Sequence, residues 1–288
     1  MNDNVKTIGE YQRLLERFEN TNDQLLLPDL YFVIRVDAHR IGDNWSEISD
    51  YPFSETVVKA LRETARNLMM SGFRINYSFV HGDEISLLLD PIEASNQRRR
   101  VRLTSLFASY ATAYFNKLSA YQAVFHTKLS ELPSKQHALD YFIWQRKVST
   151  RNFLTRKIIQ ILQAQGLSPQ EIDSRTSKLS EDERRKLLVS LGYPEEDLSI
   201  SDLYGYGLWW AEHNSKKPQL VDSQSLGINE DQYLQLLNKV MNSTAPLFDE
   251  PENVSSRPSI SASPVSTSQN SQTKSPSARK PIFRLDKK

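Results

Sequence analysis

Apolar positions change their spacing several times along this chain, and each change marks an element. Tyr11, Leu14, Leu15 and Phe18 recur at helical spacing over residues 9–20, before a turn-like Asn20-Thr21-Asn22-Asp23. Pro28 opens a new element. The run Tyr31-Phe32-Val33-Ile34-Arg35-Val36, rich in aromatic and β-branched residues, predicts a buried strand that stops at Asp37. Ser54 reads as a helix start, with Val57, Val58, Leu61, Ala65, Leu68 and Met69 as the apolar positions and Gly72 as the stop. Residues 75–80 and 85–89 predict two strands joined through His81-Gly82-Asp83-Glu84, a hairpin with its turn at Gly82-Asp83. A long helix follows over 98–118, with a face of Leu103, Leu106, Phe107, Tyr110 and Tyr114. Ala123-Val124-Phe125 reads as a short fourth strand, and 139–165 as a second long helix ending before Gly166. Beyond it, 168–176 begins on Ser168-Pro169 with Glu171 three positions on, and 180–191 and 228–241 are further helices.

The order β-α-β-β-α-β followed by helices predicts an α+β fold, a ferredoxin-like sheet with two helices on one face. After the last helix the pattern stops. Residues 254–288 hold ten Ser and four Pro in 35 positions, too little apolar surface to offset the entropy of ordering them. The expected organisation is therefore a domain over 1–242, its helical C-terminal part from about 166, and a disordered basic tail over 243–288.

Composition narrows the chemistry. The chain of 288 residues has no Cys, which excludes disulfides, thiol catalysis and Cys-based zinc sites. No segment resembles a signal peptide or approaches about 18 consecutive apolar residues, so a cytoplasmic protein without membrane contact is expected. A net charge of +1 offers no general case for nucleic acid, and any such partner has to be argued from local patches. The five His (His39, His81, His126, His137 and His213) lack zinc-ligand spacing. Tyr204, Tyr206, Trp209 and Trp210 form an aromatic stretch best read as core packing or a subunit contact.

Two acidic positions carry the candidate chemistry. Asp37 follows the first apolar strand, and Asp83-Glu84 sits at the hairpin; in a ferredoxin-like sheet these strands are neighbours. Crowded carboxylates repel, which makes sense if a divalent cation neutralises them, and oxygen ligands favour Mg²⁺. The alternative is ordinary turn chemistry, in which both Asp merely shape loops.

A set of motifs weighs against that alternative. Tyr31-Phe32-Val33-Ile34-Arg35-Val36-Asp37-Ala38, Tyr51-Pro52-Phe53-Ser54 and His81-Gly82-Asp83-Glu84-Ile85-Ser86 resemble, in order and spacing, F-V-(V/I)-R-(I/L)-D-G, K-P-F-D and S-D-E-x-S-F of the tRNA-histidine guanylyltransferase family. Arg98-Arg99 with Arg102-Leu103 and Ser105-Leu106 is similar to its R-R-x-x-K-L-x-S-L helix. Asp140-Tyr141 with Trp144 resembles D-Y-L-x-W, and Gly166-Leu167-Ser168-Pro169 with Glu171 resembles G-L-S-P-x-E. The resemblance implies a polymerase or cyclase-type palm and a nucleotidyltransferase that adds nucleotides in the 3′-5′ direction to the 5′ end of tRNA. It implies two Mg²⁺ ions held by Asp37, Asp83 and the Ala38 carbonyl, with Glu84 supporting or joining them. One ion would lower the pKa of the incoming 3′-hydroxyl, and the other would orient the triphosphate and steady the leaving pyrophosphate. The implied partners are tRNA, GTP or another NTP such as ATP, and further copies of the chain in a homotetramer.

The departures from the family pattern are specific. Its D-G is Asp37-Ala38, a worse fit wherever a positive φ is needed. The loop His39-Arg40-Ile41-Gly42-Asp43-Asn44-Trp45 lacks the family's basic order, and its S-D-E serine is Gly82. Its F-D-x-R is Phe125-His126-Thr127-Lys128, and its W-R-Q is Trp144-Gln145-Arg146. Where tRNA-histidine-specific members carry H-I-N-N, this chain has Arg151-Asn152, closer to the branch associated with repair of 5′-truncated tRNA. Nucleotide or phosphate contact is expected from His39, Arg40, Gly82, Arg98, Arg99 and Arg102. RNA contact is expected from Lys147, Arg151, Asn152 and Arg156, with Lys147, Arg151, Arg156 and Lys157 sharing one stripe of the second long helix. The tail, with seven Lys or Arg against one Asp after Asn253, could add non-specific RNA affinity or serve as a solubilising linker. Two other readings remain open: a palm-type nucleotidyltransferase or cyclase making another product, and an RNA-binding member that has lost catalysis.

Overall fold

The computed structural model describes residues 24–41, 54–211, 219–223 and 227–246, with isolated positions at 7–9 and 12. The expected helix over 9–20, most of the loop after Ile41 and the tail from 247 lie outside these residues. So does the Tyr51-Pro52-Phe53 part of the second motif.

Six strands form one antiparallel sheet in the order β4-β1-β3-β2-β5-β6. They are β1 (Tyr31–Ile41), β2 (Ile75–His81), β3 (Glu84–Leu89), β4 (Ala123–Leu132), β5 (Tyr206–Trp210) and β6 (Leu220–Asp222). The first four give the expected ferredoxin-like order. The helices are α1 (Glu55–Met69), α2 (Arg100–Leu118), α3 (Lys135–Ala164), α4 (Pro169–Thr176), α5 (Glu181–Ser190), α6 (Ile200–Tyr204) and α7 (Glu230–Met241). No helix among the described residues is long and apolar enough to cross a membrane.

Strand alternation explains the layering. Phe32, Ile34 and Val36 of β1, Val80 of β2 and Ile85, Leu87 and Leu89 of β3 point to α1 and α2, meeting Val57, Leu61, Leu68, Leu103, Phe107 and Phe115. Val33, Tyr77, Phe79 and Leu88 point the other way, to Ala138, Leu139 and Phe142 of α3 and Tyr233 and Leu237 of α7. The second half of α3 leaves the sheet and packs Phe153, Leu154, Ile158 and Leu162 against Ile172, Leu188 and Leu203 of the small helices. Several helix starts follow from local chemistry. Ser54 caps α1, and Ser168 with Glu171 and Ser180 with Glu183 form capping boxes on α4 and α5.

Four expectations need correction. β1 continues past Asp37 to Ile41, because β4 keeps pairing with it beyond a bulge between Ala38 and Arg40. β4 runs ten residues where three were expected; as an edge strand it carries polar residues that show no apolar run. The buried face of α2 is Leu103, Phe107, Ala111 and Phe115, with Leu106, Tyr110 and Tyr114 packed at its margin. α3 begins at Lys135 behind its Ser134 cap, four residues earlier than expected. Of the aromatic stretch, Tyr204 ends α6, while Tyr206, Trp209 and Trp210 lie in β5, paired with β2, with Trp210 buried and its indole N–H donating to the Ile75 carbonyl at 2.8 Å. Gly205 makes that pairing possible: it takes φ 69°, and a Cβ there would sit 2.6 Å from the Phe79 ring.

Phe107→Ala should lower the unfolding free energy by about 4 kcal/mol, read as a lower urea midpoint with an unchanged slope. Val124→Ala, on the exposed face of β4, should stay within about 1 kcal/mol in the same experiment.

Candidate functional site

The face of the sheet that carries Val33 continues along β1 to Arg35 and Asp37. On β3 the same face continues through Leu88 and Ser86 to Glu84. Antiparallel register sets Asp37 directly opposite Glu84, and on the other side sets Asp37 opposite His126 and Arg35 opposite Lys128. Asp37 is buried at 7% exposure. Two carboxylates facing each other across a strand pair repel. The offset is local: Arg35 Nε lies 3.0 Å from Asp37 Oδ1 and 3.9 Å from Glu84 Oε2. Lys128 Nζ and His126 Nε2 lie 3.2 and 3.4 Å from Asp37 Oδ2, and His81 Nε2 lies 3.4 Å from Glu84 Oε2. Burial pushes the Glu84 carboxyl up, but the His81 contact and the charges of Arg35 and Lys128 outweigh it, leaving it below its ordinary 4.5.

The offset is incomplete. Asp37 Oδ1, Glu84 Oε2 and Arg35 Nε are buried and make no hydrogen bond, so these contacts are coulombic without good donor geometry. Buried carboxylate oxygens with unused lone pairs suit a hard cation. Among the described residues no three His, Asp or Glu side chains gather as an all-protein metal cage. Mg²⁺ needs none, because one or two carboxylates suffice when water and substrate phosphates complete its octahedron. The residues present therefore fit that ion.

The hairpin brings the other expected ligands close. Gly82 takes φ 53° at the first position of a two-residue turn, and the Ala38 N–H donates to the Asp83 carbonyl at 3.3 Å, latching the turn to β1 beside Asp37. Ala38 itself does not have a positive φ: among described non-glycine residues only Asp29 and Arg98 do. Alanine in place of the family's glycine therefore imposes no backbone strain here. Asp83 and Glu84 line a recess of about 50 Å³ with His81, Gly82, Ser149, Asn152, Phe153, Arg156 and Asp202.

Other expected residues lie elsewhere. His39 is exposed, edge-on to His126 at 6.0 Å; the side chain of Arg40 lies outside the described residues. Arg98 donates to the carbonyls of Leu27 and Pro91, and Arg99 precedes α2 without a side-chain cap bond. Neighbouring Arg100 pairs with Glu131, which stands opposite Phe32. That is five residues along β1 from Asp37, about 17 Å, so the turn carrying Arg98 and Arg99 is at the other end of the sheet from the acidic pair, and Arg102, within α2, lines a separate groove with Ser71, Gly72 and Phe73. The expected single stripe on α3 divides in two, because a helix turns about 100° per residue. Asn152 and Arg156 face the recess, whereas Lys147 and Arg151 line a separate groove with the half-exposed Trp144.

Arg35, Lys128, His126 and Gln145 are part of this site and were not singled out for it by sequence. The available signal was alternation: Arg35-x-Asp37 and His126-x-Lys128 each put two polar groups on one face of a strand.

Arg35→Met should lower stability at neutral pH by on the order of 2 kcal/mol by removing the shared cation. The sign with pH follows from Glu84. Its folded value is lowered, so its contribution is full above 4.5 and is lost as pH falls through the lowered value. The deficit of Arg35→Met relative to wild type should accordingly shrink on acidification through that window, measured by urea unfolding at stepped pH.

Residues 11–139 match the profile of the family described as tRNAHis guanylyltransferase. The tRNA(His) guanylyltransferase of Saccharomyces cerevisiae is 27% identical over 192 residues, which cover 61% of this chain and 79% of the yeast protein. Among solved structures, a bacterial tRNA(His) guanylyltransferase-like protein in complex with ATP superimposes with a TM-score of 0.63 at 19% identity, covering 81% of this chain and 100% of that one. A structure of such a bacterial protein in complex with GTP gives a TM-score of 0.62 at 18% identity, over 81% and 99%. At that identity the structures establish the common palm-like fold, and the matched sequence runs from before β1 into α3. Over residues 11–139 the chain is similar to the tRNAHis guanylyltransferase family, from which it diverges at the positions noted above.

Proposed function

We propose that this chain is a Mg²⁺-dependent 3′-5′ nucleotidyltransferase that adds nucleotides to the 5′ end of tRNA, with 5′-truncated tRNA as acceptor. The observation that carries the reading is the opposition of Asp37 and Glu84 across β1 and β3, with carboxylate oxygens left without hydrogen bonds. The family resemblance supports the reaction class, and the ATP and GTP complexes of the bacterial neighbours support the ligand class. Repair is favoured over dedicated guanylylation by Arg151-Asn152, which stand where tRNA-histidine-specific members carry a histidine motif.

Asp37, Asp83 and Glu84, with the Ala38 carbonyl, are the residues that would hold two Mg²⁺ ions. Bound there, the ions would supply charge neutralisation and a more acidic 3′-hydroxyl. In the reaction the 3′-oxygen of the incoming nucleotide bonds to the α-phosphorus of a 5′-triphosphorylated RNA. The bond to the β-phosphate oxygen breaks, pyrophosphate leaves, and the hydroxyl proton passes to solvent. The chain's own contribution is placement and charge. Arg35 keeps the two strand-borne carboxylates apart in charge. Lys128, its side chain 60% exposed, is released from Asp37 to a phosphate once that carboxylate has another cation. Asn152 and Arg156 flank the hairpin recess, where RNA or phosphate would meet the acidic pair.

The test is a 5′-extension assay over a panel of truncated tRNAs with each labelled NTP. Mg²⁺-dependent extension with pyrophosphate release is expected, falling at least about 10²-fold in Asp37→Asn and in Asp83→Asn. Lys128→Ala should raise KM for the NTP about tenfold with a smaller change in kcat. If no RNA and NTP combination gives Mg²⁺-dependent pyrophosphate release, the enzymatic reading fails and RNA binding alone remains. Activity confined to full-length tRNA-His would overturn the repair assignment.

A further inference from the structure

Gln145 is fully buried on α3, yet nothing in packing calls for an amide at that position. Burying one is unfavourable unless its groups are bonded, and both are. Its Oε1 lies 2.8 Å from His81 Nε2, and its Nε2 donates to the Tyr141 hydroxyl at 3.1 Å. Tyr141 in turn meets Ser86 Oγ at 3.4 Å, which returns the chain of contacts to β3 two residues beyond Glu84. An amide oxygen can only accept, so His81 Nε2 carries the hydrogen. That N–H is also the group 3.4 Å from Glu84 Oε2. The amide therefore selects the imidazole tautomer and the ring orientation that turn the polar Nε2 edge toward Glu84, a coulombic contact and not a hydrogen bond, in the way an outer residue orients a ligand.

We propose that Gln145, acting through His81, is a positioning residue that sets the orientation of the Glu84 carboxylate; its catalytic meaning rests on the function proposed above. Glu84 Oε2 makes no hydrogen bond, and the guanidinium beside it, Arg35 Nε, is 3.9 Å away and shared with Asp37. His81 is held from behind by the shorter of its two contacts. Without that hold the ring is free to turn, and Glu84 loses the contact that keeps it facing Asp37.

Two measurements on the full chain test this. The first is a double-mutant cycle in urea without divalent ions, using Gln145→Met, which keeps volume but loses both polar groups, and Glu84→Gln. If Gln145 acts on Glu84, the combined change in the unfolding constant should depart from the product of the single changes by at least about fivefold, whereas unconnected sites multiply. The second is Mn²⁺ affinity of nucleotide-free protein by electron paramagnetic resonance. Gln145→Met should weaken it about tenfold, and Gln145→Glu, which keeps an acceptor for His81, should recover most of the loss. Multiplicative effects in the cycle would overturn the proposal whether or not the protein binds Mn²⁺. Equal weakening by Met and Glu would overturn it too, by pointing to packing damage. A non-multiplicative cycle in a wild-type protein that binds no Mn²⁺ would support the positioning role and sink the metal reading instead.

Discussion

Two negative charges held face to face across neighbouring strands constrain everything around them. The β1–β3 register sets Asp37 and Glu84 opposite one another, so their backbone positions cannot separate without breaking that pairing, and only the orientation of each carboxylate is left to its neighbours. The fold answers with groups supplied by the same alternation: the cation Arg35 two residues back on β1, and the cation Lys128 and the His126 imidazole from β4 on the other side. This explains why β4 continues through a polar run with little apolar character. Its outward face carries charge to Asp37, while Ala123 and Phe125 anchor it in the core beneath. The balance is coulombic and poorly bonded, which leaves carboxylate oxygens available. A site that must accept and release a hard cation benefits from that state, since good hydrogen bonds would have to be broken first.

How much of this could be read from residues alone depended on whether the determining interaction was local. Helix starts at Ser54, Ser168 and Ser180 were legible because a side chain three positions from its partner is enough to make a cap. The hairpin at Gly82-Asp83 and the apolar strand β1 were legible for similar reasons. β4 beyond Phe125, β5 and β6 were not, because an edge strand or a short aromatic strand is defined by a distant partner. Asp37 and Asp83-Glu84 stood out as acids beside apolar strands. Lys128 and His126 did not, because no apolar run carries their strand past Phe125. Gln145 sits in the middle of a helix, and only tertiary packing turns it toward His81. The stripe uniting Lys147 and Arg151 with Arg156 failed on geometry, since residues five apart on a helix face different ways.

The substitutions that mark this chain as divergent differ in consequence. Ala38 in place of glycine is free of strain, because the bulge lies after it and its backbone stays in an ordinary region. Lys128 in place of an arginine, and His126 in place of an aspartate, change the groups that stand beside Asp37. Gln145, where the family has arginine, puts a neutral amide at a buried position. Arg98 and Arg99 are at the far end of the sheet, so any phosphate they meet is distant from the acidic pair.

The most direct measurement is anomalous diffraction at the manganese edge from crystals grown with Mn²⁺ and a non-hydrolysable GTP analogue. The prediction is metal density within coordination distance of Asp37 and of the Asp83-Glu84 turn, with Lys128 moved from Asp37 to a phosphate. Density absent there, with Lys128 still on Asp37 Oδ2, would contradict the assignment of this carboxylate pair as a metal site.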